Sequence, residues 1–140
     1  MFLLIYLSTN NSTNLIDINV FTAVFFDSPK FKNNVLEFTV YETGTANFVH
    51  SLKLRYNYEY KKVQLIGYDC SCTTISGRGY CNKSYNLLTG KYNVINGFYD
   101  KTKTEVFEGI KKQSKIIFID QFRDELFTEL SQIGKEFEKE

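Results

Sequence analysis

The stretch Leu52-Lys53-Leu54-Arg55-Tyr56-Asn57-Tyr58-Glu59-Tyr60 decides the fold class of this chain. Leu52, Leu54, Tyr56, Tyr58 and Tyr60 fall on one side of an alternation, and Lys53, Arg55, Asn57 and Glu59 on the other. Successive side chains of an extended chain point to opposite faces, so the pattern predicts a strand with one face buried and one wet. Wound as a helix, the same residues would scatter the tyrosines around the whole circumference. A turn near Tyr60-Lys61-Lys62 then leads into Val63-Gln-Leu-Ile-Gly-Tyr68, which makes the pair a hairpin.

Outward from this hairpin the strands continue in both directions. Residues 17–26 are rich in Val, Ile and Phe and stop at Asp27-Ser-Pro29, a turn signal holding the only proline. Residues 35–41 place Leu36, Phe38 and Val40 on one face, and Gly44 ends the run. Residues 69–82 carry Cys70, Cys72, Cys81 and the turn Ser76-Gly-Arg-Gly79, and read as a hairpin loop with its stems. Residues 85–88 and 91–95 read as short strands around Thr89-Gly90. Asn96-Gly97 is a type I′ hairpin signal if strands flank it directly. Residues 104–110 alternate weakly, and residues 115–119 form a short apolar strand.

The two ends differ. Residues 1–7 are apolar, with no Lys or Arg before Lys30 and a poor cleavage region at Ser8-Thr-Asn-Asn-Ser-Thr-Asn14. A buried or edge strand therefore fits better than a signal peptide. At the other end Asp120 is placed to cap a helix in which Phe122, Leu126, Leu130, Ile133 and Phe137 make one apolar stripe. Gly134 frays its end, at a cost of about 1 kcal/mol relative to Ala. The expected fold is α+β and mainly β, in one domain over residues 1–140. A twisted or half-closed antiparallel sheet (residues 1 to about 119) carries a C-terminal helix (about 120–138) packed on it.

Composition bounds the function. The chain has 140 residues, 43% hydrophobic and 16% aromatic, which excludes disorder for most of it and suits one domain. A net charge of +1 argues against bulk electrostatic binding of nucleic acid. No apolar run approaches the roughly 18–20 residues of a membrane-spanning helix. Charge is nonetheless polarised: residues 50–119 carry 12 basic and 5 acidic side chains, and residues 120–140 carry 3 and 7. Polarised surfaces suit charged partners, although solvent-facing lysines on strands are also ordinary. Fourteen Lys against three Arg, with 12 Asn, is the usage of an AT-rich genome.

Chemical motifs are sparse. Nucleophilic catalysis needs a Ser, Cys or Thr beside an oriented base, and His50 is the single histidine; a Cys81–His50 pair is the one arrangement to consider. Glu59 and Asp69 flank one hairpin as ordinary surface acids, without a glycosidase pattern. Ser76-Gly-Arg-Gly79 superficially resembles a phosphate loop but lacks its Lys and following helix. Cys-x-Cys-x8-Cys supplies three thiols where a zinc site takes four ligands, so no metal and no cofactor is expected. A cross-strand disulfide, Cys70–Cys81 or Cys72–Cys81, is open if the protein is exported; reduced, half-buried thiols are the plainer reading. Asn10, Asn11 and Asn82 head sequons that matter only in a eukaryotic secretory pathway. The tyrosines that alternate with Lys53 and Arg55 fall on the opposite face, which speaks for core and against base stacking.

Four segments, Leu54-Arg-Tyr56, Val63-Gln-Leu-Ile-Gly-Tyr-Asp69, Ser84-Tyr-Asn-Leu-Leu-Thr-Gly-Lys91 and Ile117-Phe-Ile-Asp-Gln-Phe122, occur in this order. The series resembles a loose group of small, uncharacterised bacterial proteins, many of them with the look of lipoproteins or cell-envelope proteins. The resemblance spans roughly residues 36–122. It implies a run of strands closed by an apolar strand and assigns no catalytic residue. Physically, Gly67 suits a bend or close approach and Gly90 a turn with positive φ, while Asp69 and Asn86 suit strand-end caps. An evident lipobox cysteine and export signal are lacking here, so the expected location is cytoplasmic as the sequence stands, and periplasmic or envelope if the start is truncated.

The expected function is non-enzymatic: a bacterial protein-binding module, in its sharpest form an immunity-type protein that neutralises a toxin domain. The alternatives are a periplasmic or envelope accessory protein and a small enzyme or ligand carrier using a cleft near His50 and the cysteines. The partner is a toxin domain or envelope component in the first two readings. Arg78, on a Gly-flanked loop tip, and Lys53 and Arg55 on the basic edge are the candidate contacts, since a guanidinium can hold a carboxylate bidentately.

Overall fold

Alternation governs the architecture, with one interruption. The computed structural model describes residues 2–7, 12–17, 24–42, 48–73, 79–100, 104–121 and 129–133. Its strands are β1 (Phe2–Leu7), β2 (Ser12–Asp17), β3 (Val24–Phe26), β4 (Lys30–Lys32), β5 (Val35–Glu42), β6 (Phe48–Asn57), β7 (Lys62–Thr73), β8 (Gly79–Asn86), β9 (Lys91–Phe98) and β10 (Glu105–Ile110). β1 and β2 form a hairpin of their own; the rest make one antiparallel sheet in the order β10-β9-β8-β7-β6-β5-β3, with β4 also on β5. The sheet is a meander from β5 to β10 and, among the described residues, open.

β3 and β4 are two halves of one edge strand, pairing with the far and near ends of β5. Asp27-Ser-Pro29 interrupts it, and Pro29, which has no N–H to donate, is tolerated there because the strand lies at an edge. The β4–β5 turn is Asn33-Asn34, with φ of 52° and 60° at the two residues. Both are positive, as a two-residue type I′ hairpin needs, and Asn accepts that conformation better than most side chains.

The β6–β7 and β8–β9 hairpins share a different turn. Asn57 Oδ1 accepts hydrogen bonds from the N–H groups of Glu59 (3.0 Å) and Tyr60 (3.2 Å). Asn86 Oδ1 accepts from Leu88 and Thr89 (both 3.0 Å). The fourth residue after each Asn has positive φ, 52° at Lys61 and 76° at Gly90. Asn57 thus ends β6, and Tyr58 and Tyr60, expected to be buried, lie in the turn and are 76% and 49% exposed.

One register shift, opposite Lys53 and Leu54, places Ile66 as an extra residue in β7. A bulge switches the parity of the strand. Val63 and Leu65 face the core before it, and Tyr68, Cys70 and Cys72 share the core side after it. The core face is therefore a set of cross-strand rows. Phe38, Leu52, Tyr68, Tyr85 and Tyr92 form one, and Val40, His50, Cys70, Lys83 and Val94 the next. Ile119, Leu130 and Ile133 are buried in the same cluster.

Mainly β is thus the observed class, and the C-terminal helix is the point of departure. Ile119–Gln121 is a 3-10 turn, and residues 129–131 make one helical turn. The remaining positions of the expected helix, Phe122, Leu126 and Phe137 among them, lie outside the described residues. Asp120, expected as the cap, lies inside that 3-10 turn, and its carboxylate takes an ion pair from Lys62 at 2.6 Å; the N–H groups that it would cap lie outside the described residues. Residues 115–119 are not a strand either. Past the bulge β8 leaves β7, and Leu65 N–H donates to Ile117 O (2.9 Å) beside a single bridge between Gln64 and Phe118. The expected strand over residues 17–26 is in fact the end of β2 and all of β3, with residues 18–23 outside the described residues. Asn96-Gly97 is no turn: β9 runs through it, and the Tyr80 ring lies where a Cβ on Gly97 would stand, 2.2 Å away. No described helix is long and apolar enough to cross a membrane.

Tyr85 gives the core a measurable pH response. Its hydroxyl donates to Lys111 O, and burial raises its pKa above 10.0, partly offset by a hydrogen bond with Gln113. A tyrosine whose folded pKa is raised contributes stability that is full below the unfolded value and lost as pH rises through the folded one. Stability should therefore fall at alkaline pH, above about 10. Tyr85→Phe should weaken that fall while costing about 1 kcal/mol at neutral pH, measured by urea unfolding at stepped pH. A fall of unchanged steepness in the variant would overturn the assignment to Tyr85 and move the response to other groups that titrate there, among them Tyr41, raised in the same direction chiefly by its hydrogen bond to Asp27.

Candidate functional site

The solvent face of the sheet carries a polar row built by register. Thr39, Ser51, Asp69, Ser84, Asn93 and Glu108 stand side by side on β5 to β10. Thr39 and Ser51 hydroxyls share a hydrogen bond (3.0 Å), Ser84 Oγ donates to Asp69 Oδ1 (2.6 Å), and Asn93 Nδ2 donates to Glu108 Oε1 (3.0 Å). Asp69, expected as a strand-end cap, is instead mid-strand and also takes an ion pair from Lys53. The methylenes of Lys53 lie across Gly67, 3.2 Å and 3.4 Å from where its Cβ would be. Lys53 is therefore committed to the sheet, and exposed pairs of this kind contribute about 0–1 kcal/mol.

Arg55, two residues on, differs. It is exposed, and its guanidinium has no ion pair or side-chain hydrogen bond among the described residues. It sits between two shallow clefts. One, of about 440 Å³, is lined by Gln64, Leu88, Lys115 and Ile116 with it. The other, of about 350 Å³, is lined by Asn34, Asn57, Tyr58 and Gln64. Asn57 Nδ2 donates to Gln64 Oε1 (2.8 Å) and fixes the wall between them. Tyr58, Leu88 and Ile116 are exposed large side chains on these rims. Beyond them the Tyr60 ring packs on Phe118 at 5.4 Å, and Lys62 Nζ stands 5.5 Å from the same ring. A guanidinium ringed by tyrosine and aliphatic side chains can grip a carboxylate while burying apolar area.

Of the three expected contacts, Lys53 and Arg55 share the solvent face and Arg78 lies outside the described residues. Tyr58, Leu88 and Ile116 were not expected at a surface site. Asn57 was the available signal, since an Asn closing an alternating run favours a turn over the next few residues.

The core side holds the other candidates. His50 is buried, its Nδ1 is 2.8 Å from the Tyr68 hydroxyl, and its ring stacks between Phe48 and Tyr68. Its cross-strand neighbour is Cys70, whereas Cys81 stands on β8 opposite Cys72, so the Cys81–His50 pair is not assembled. Lys83, also buried, donates to Ser131 O and so ties β8 to the C-terminal helical turn. No group of three or more His, Cys, Asp or Glu side chains placed to hold a metal occurs among the described residues. Comparisons with protein-family models, curated proteins and solved structures find no match to this chain.

Proposed function

We propose that this chain is a non-enzymatic protein-binding module and that the Arg55 end of the sheet is its contact surface. The observation that carries the reading is the uncommitted guanidinium of Arg55 between two clefts rimmed by exposed Tyr58, Leu88 and Ile116. Arg and Tyr are the residues that most often concentrate binding energy at protein interfaces, and short apolar rims exclude water around them. The partner this chemistry fits is an acidic protein surface. The excess of basic side chains over residues 50–119 supports the same polarity. In its specific form the reading is an immunity-type bacterial protein that neutralises an acidic toxin domain, in line with the small size of the chain.

The test is isolation of the tagged protein and its Arg55→Glu variant from the native host at low and moderate salt. The expected result is one stoichiometric protein with the parent chain, released as salt screens the contact, and at least about tenfold less with the variant. Recovery of the bait with no macromolecular partner, or equal recovery by the variant, overturns the reading. Arg55 is exposed, so its replacement should change stability by about 0.5 kcal/mol or less, and loss of binding would not reflect unfolding.

A further inference from the structure

Three thiols lie on the core side of adjacent strands, and their register separates them. Cys72 stands directly opposite Cys81, between the pairs Ser71–Asn82 and Thr73–Tyr80, while Cys70 stands opposite Lys83. Residues directly opposed on antiparallel strands have Cα atoms about 4.5 or 5.5 Å apart, both within the roughly 4.4–6.8 Å window of a disulfide. Diagonal neighbours are about 7–8 Å apart, beyond it. Cys70 is diagonal to Cys81, and Cys70 and Cys72 are two residues apart along one extended strand, with side chains side by side. Of the pairings the sequence leaves open, only one is within reach without moving the backbone.

We infer that Cys72 and Cys81 are a disulfide-forming pair and that Cys70 stays a thiol. Burial sets the order of events. Cys70 and Cys81 are buried, at 5% and 3% exposure, and Cys72 alone is half-buried. Cys72 is the point of entry for a small-molecule disulfide. Its thiolate attacks one sulfur of that disulfide, forming a mixed disulfide and expelling one thiolate, which takes up a proton. Cys81 then loses its proton to water and attacks the Cys72 sulfur, expelling the second small thiol. Two protein thiols and one disulfide become one protein disulfide and two small thiols. The bond closes the segment Thr73 to Tyr80, which includes Arg78, into a short loop and restricts the unfolded chain. Cys70, packed in the core cluster with Leu52 and Tyr68, takes no part.

The test treats the purified full chain with oxidised glutathione, counts thiols and maps the cross-link by mass spectrometry without reduction. The parent chain should fall from three thiols to one, with a melting temperature that rises by several degrees and returns on reduction. Cys70→Ser should still form the intramolecular bond and end with no thiol. Cys72→Ser and Cys81→Ser should each form none. The inference is overturned if the parent keeps all three thiols, if a bond to Cys70 is mapped in it, or if Cys72→Ser still loses two thiols. Because Cys70→Ser keeps both reacting sulfurs, a fold weakened by the buried Cys81→Ser change leaves a decisive comparison in place.

Discussion

Replacing Gly90 with alanine is expected to destabilise the protein by about 2–4 kcal/mol, the sum of a backbone term and a packing term. The first arises because Gly90 has a φ of +76°, where a Cβ crowds the following carbonyl. The second is particular to this site. A Cβ on Gly90 would stand 2.8 Å from Cα and N of Lys112 and 3.0 Å from C of Lys111, all backbone atoms. No side chain can swing away to make room. Nor can the neighbouring segment drift, because Lys111 N–H donates to Gly90 O at 2.7 Å and Lys111 O accepts from the Tyr85 hydroxyl. Lys61 provides the comparison. It occupies the equivalent position of the β6–β7 turn at a φ of 52° without being glycine, so Lys61→Gly should be neutral or stabilising by a few tenths of a kcal/mol. Urea unfolding of both variants measures the difference. If Gly90→Ala costs no more than about 0.5 kcal/mol, the contact between Gly90 and residues 111–112 is not part of the folded state. The consequence reaches the proposed contact surface: residues 113–117 come directly after and line the larger cleft beside Arg55. A Gly90 variant that still folds should also weaken the proposed partner contact.

The same two hairpin turns mark the limit of what hydrophobic pattern conveys. Alternation identified β5, β6 and the β6–β7 hairpin because each strand there has one wet face, and the parity of side chains is then a direct image of burial. It failed at Tyr58 and Tyr60 because the pattern of aromatic and polar residues outlasts the strand. Asn57 ends it by taking two backbone N–H groups with its own side chain, a bond that competes with the ladder and leaves no trace in hydrophobic periodicity. The bulge at Ile66 is only hinted at by the neighbouring Gly67, since Leu65 and Ile66 are both apolar and hydrophobic pattern does not say which of them is extra. Asn96-Gly97 carries the composition of a turn but serves close approach, its missing Cβ making room for the Tyr80 ring. At the site, charge was legible and commitment was not. Lys53 and Arg55 are both basic residues on the wet face of β6. Only cross-strand register reveals that Lys53 meets Asp69 and Gly67 on β7, while Arg55 faces Gln64 past the bulge and keeps its charge for solvent or a partner.

Leu54→Ala should cost about 2–5 kcal/mol, against about 0.5 kcal/mol or less for Arg55→Ala one residue away. Leu54 is 1% exposed and lies between Leu36 on β5 and Leu65 on β7, at the parity switch made by the bulge. Truncation removes three carbons from the middle of the core cluster that also holds Val63, Ile119 and Leu130. The surrounding strands are hydrogen-bonded on both sides of β6, so they cannot close the cavity, and the cost should lie toward the upper part of the range. Chemical unfolding of the two variants gives the comparison directly. Equal costs would mean that β6 is not held in this register, because a slip by one residue exchanges its faces and would bury Arg55 in place of Leu54. The proposed contact surface stands on the same register: a slip that buried Arg55 would remove the guanidinium from both clefts. The stability measurement is therefore also the first test of whether the binding face exists as described.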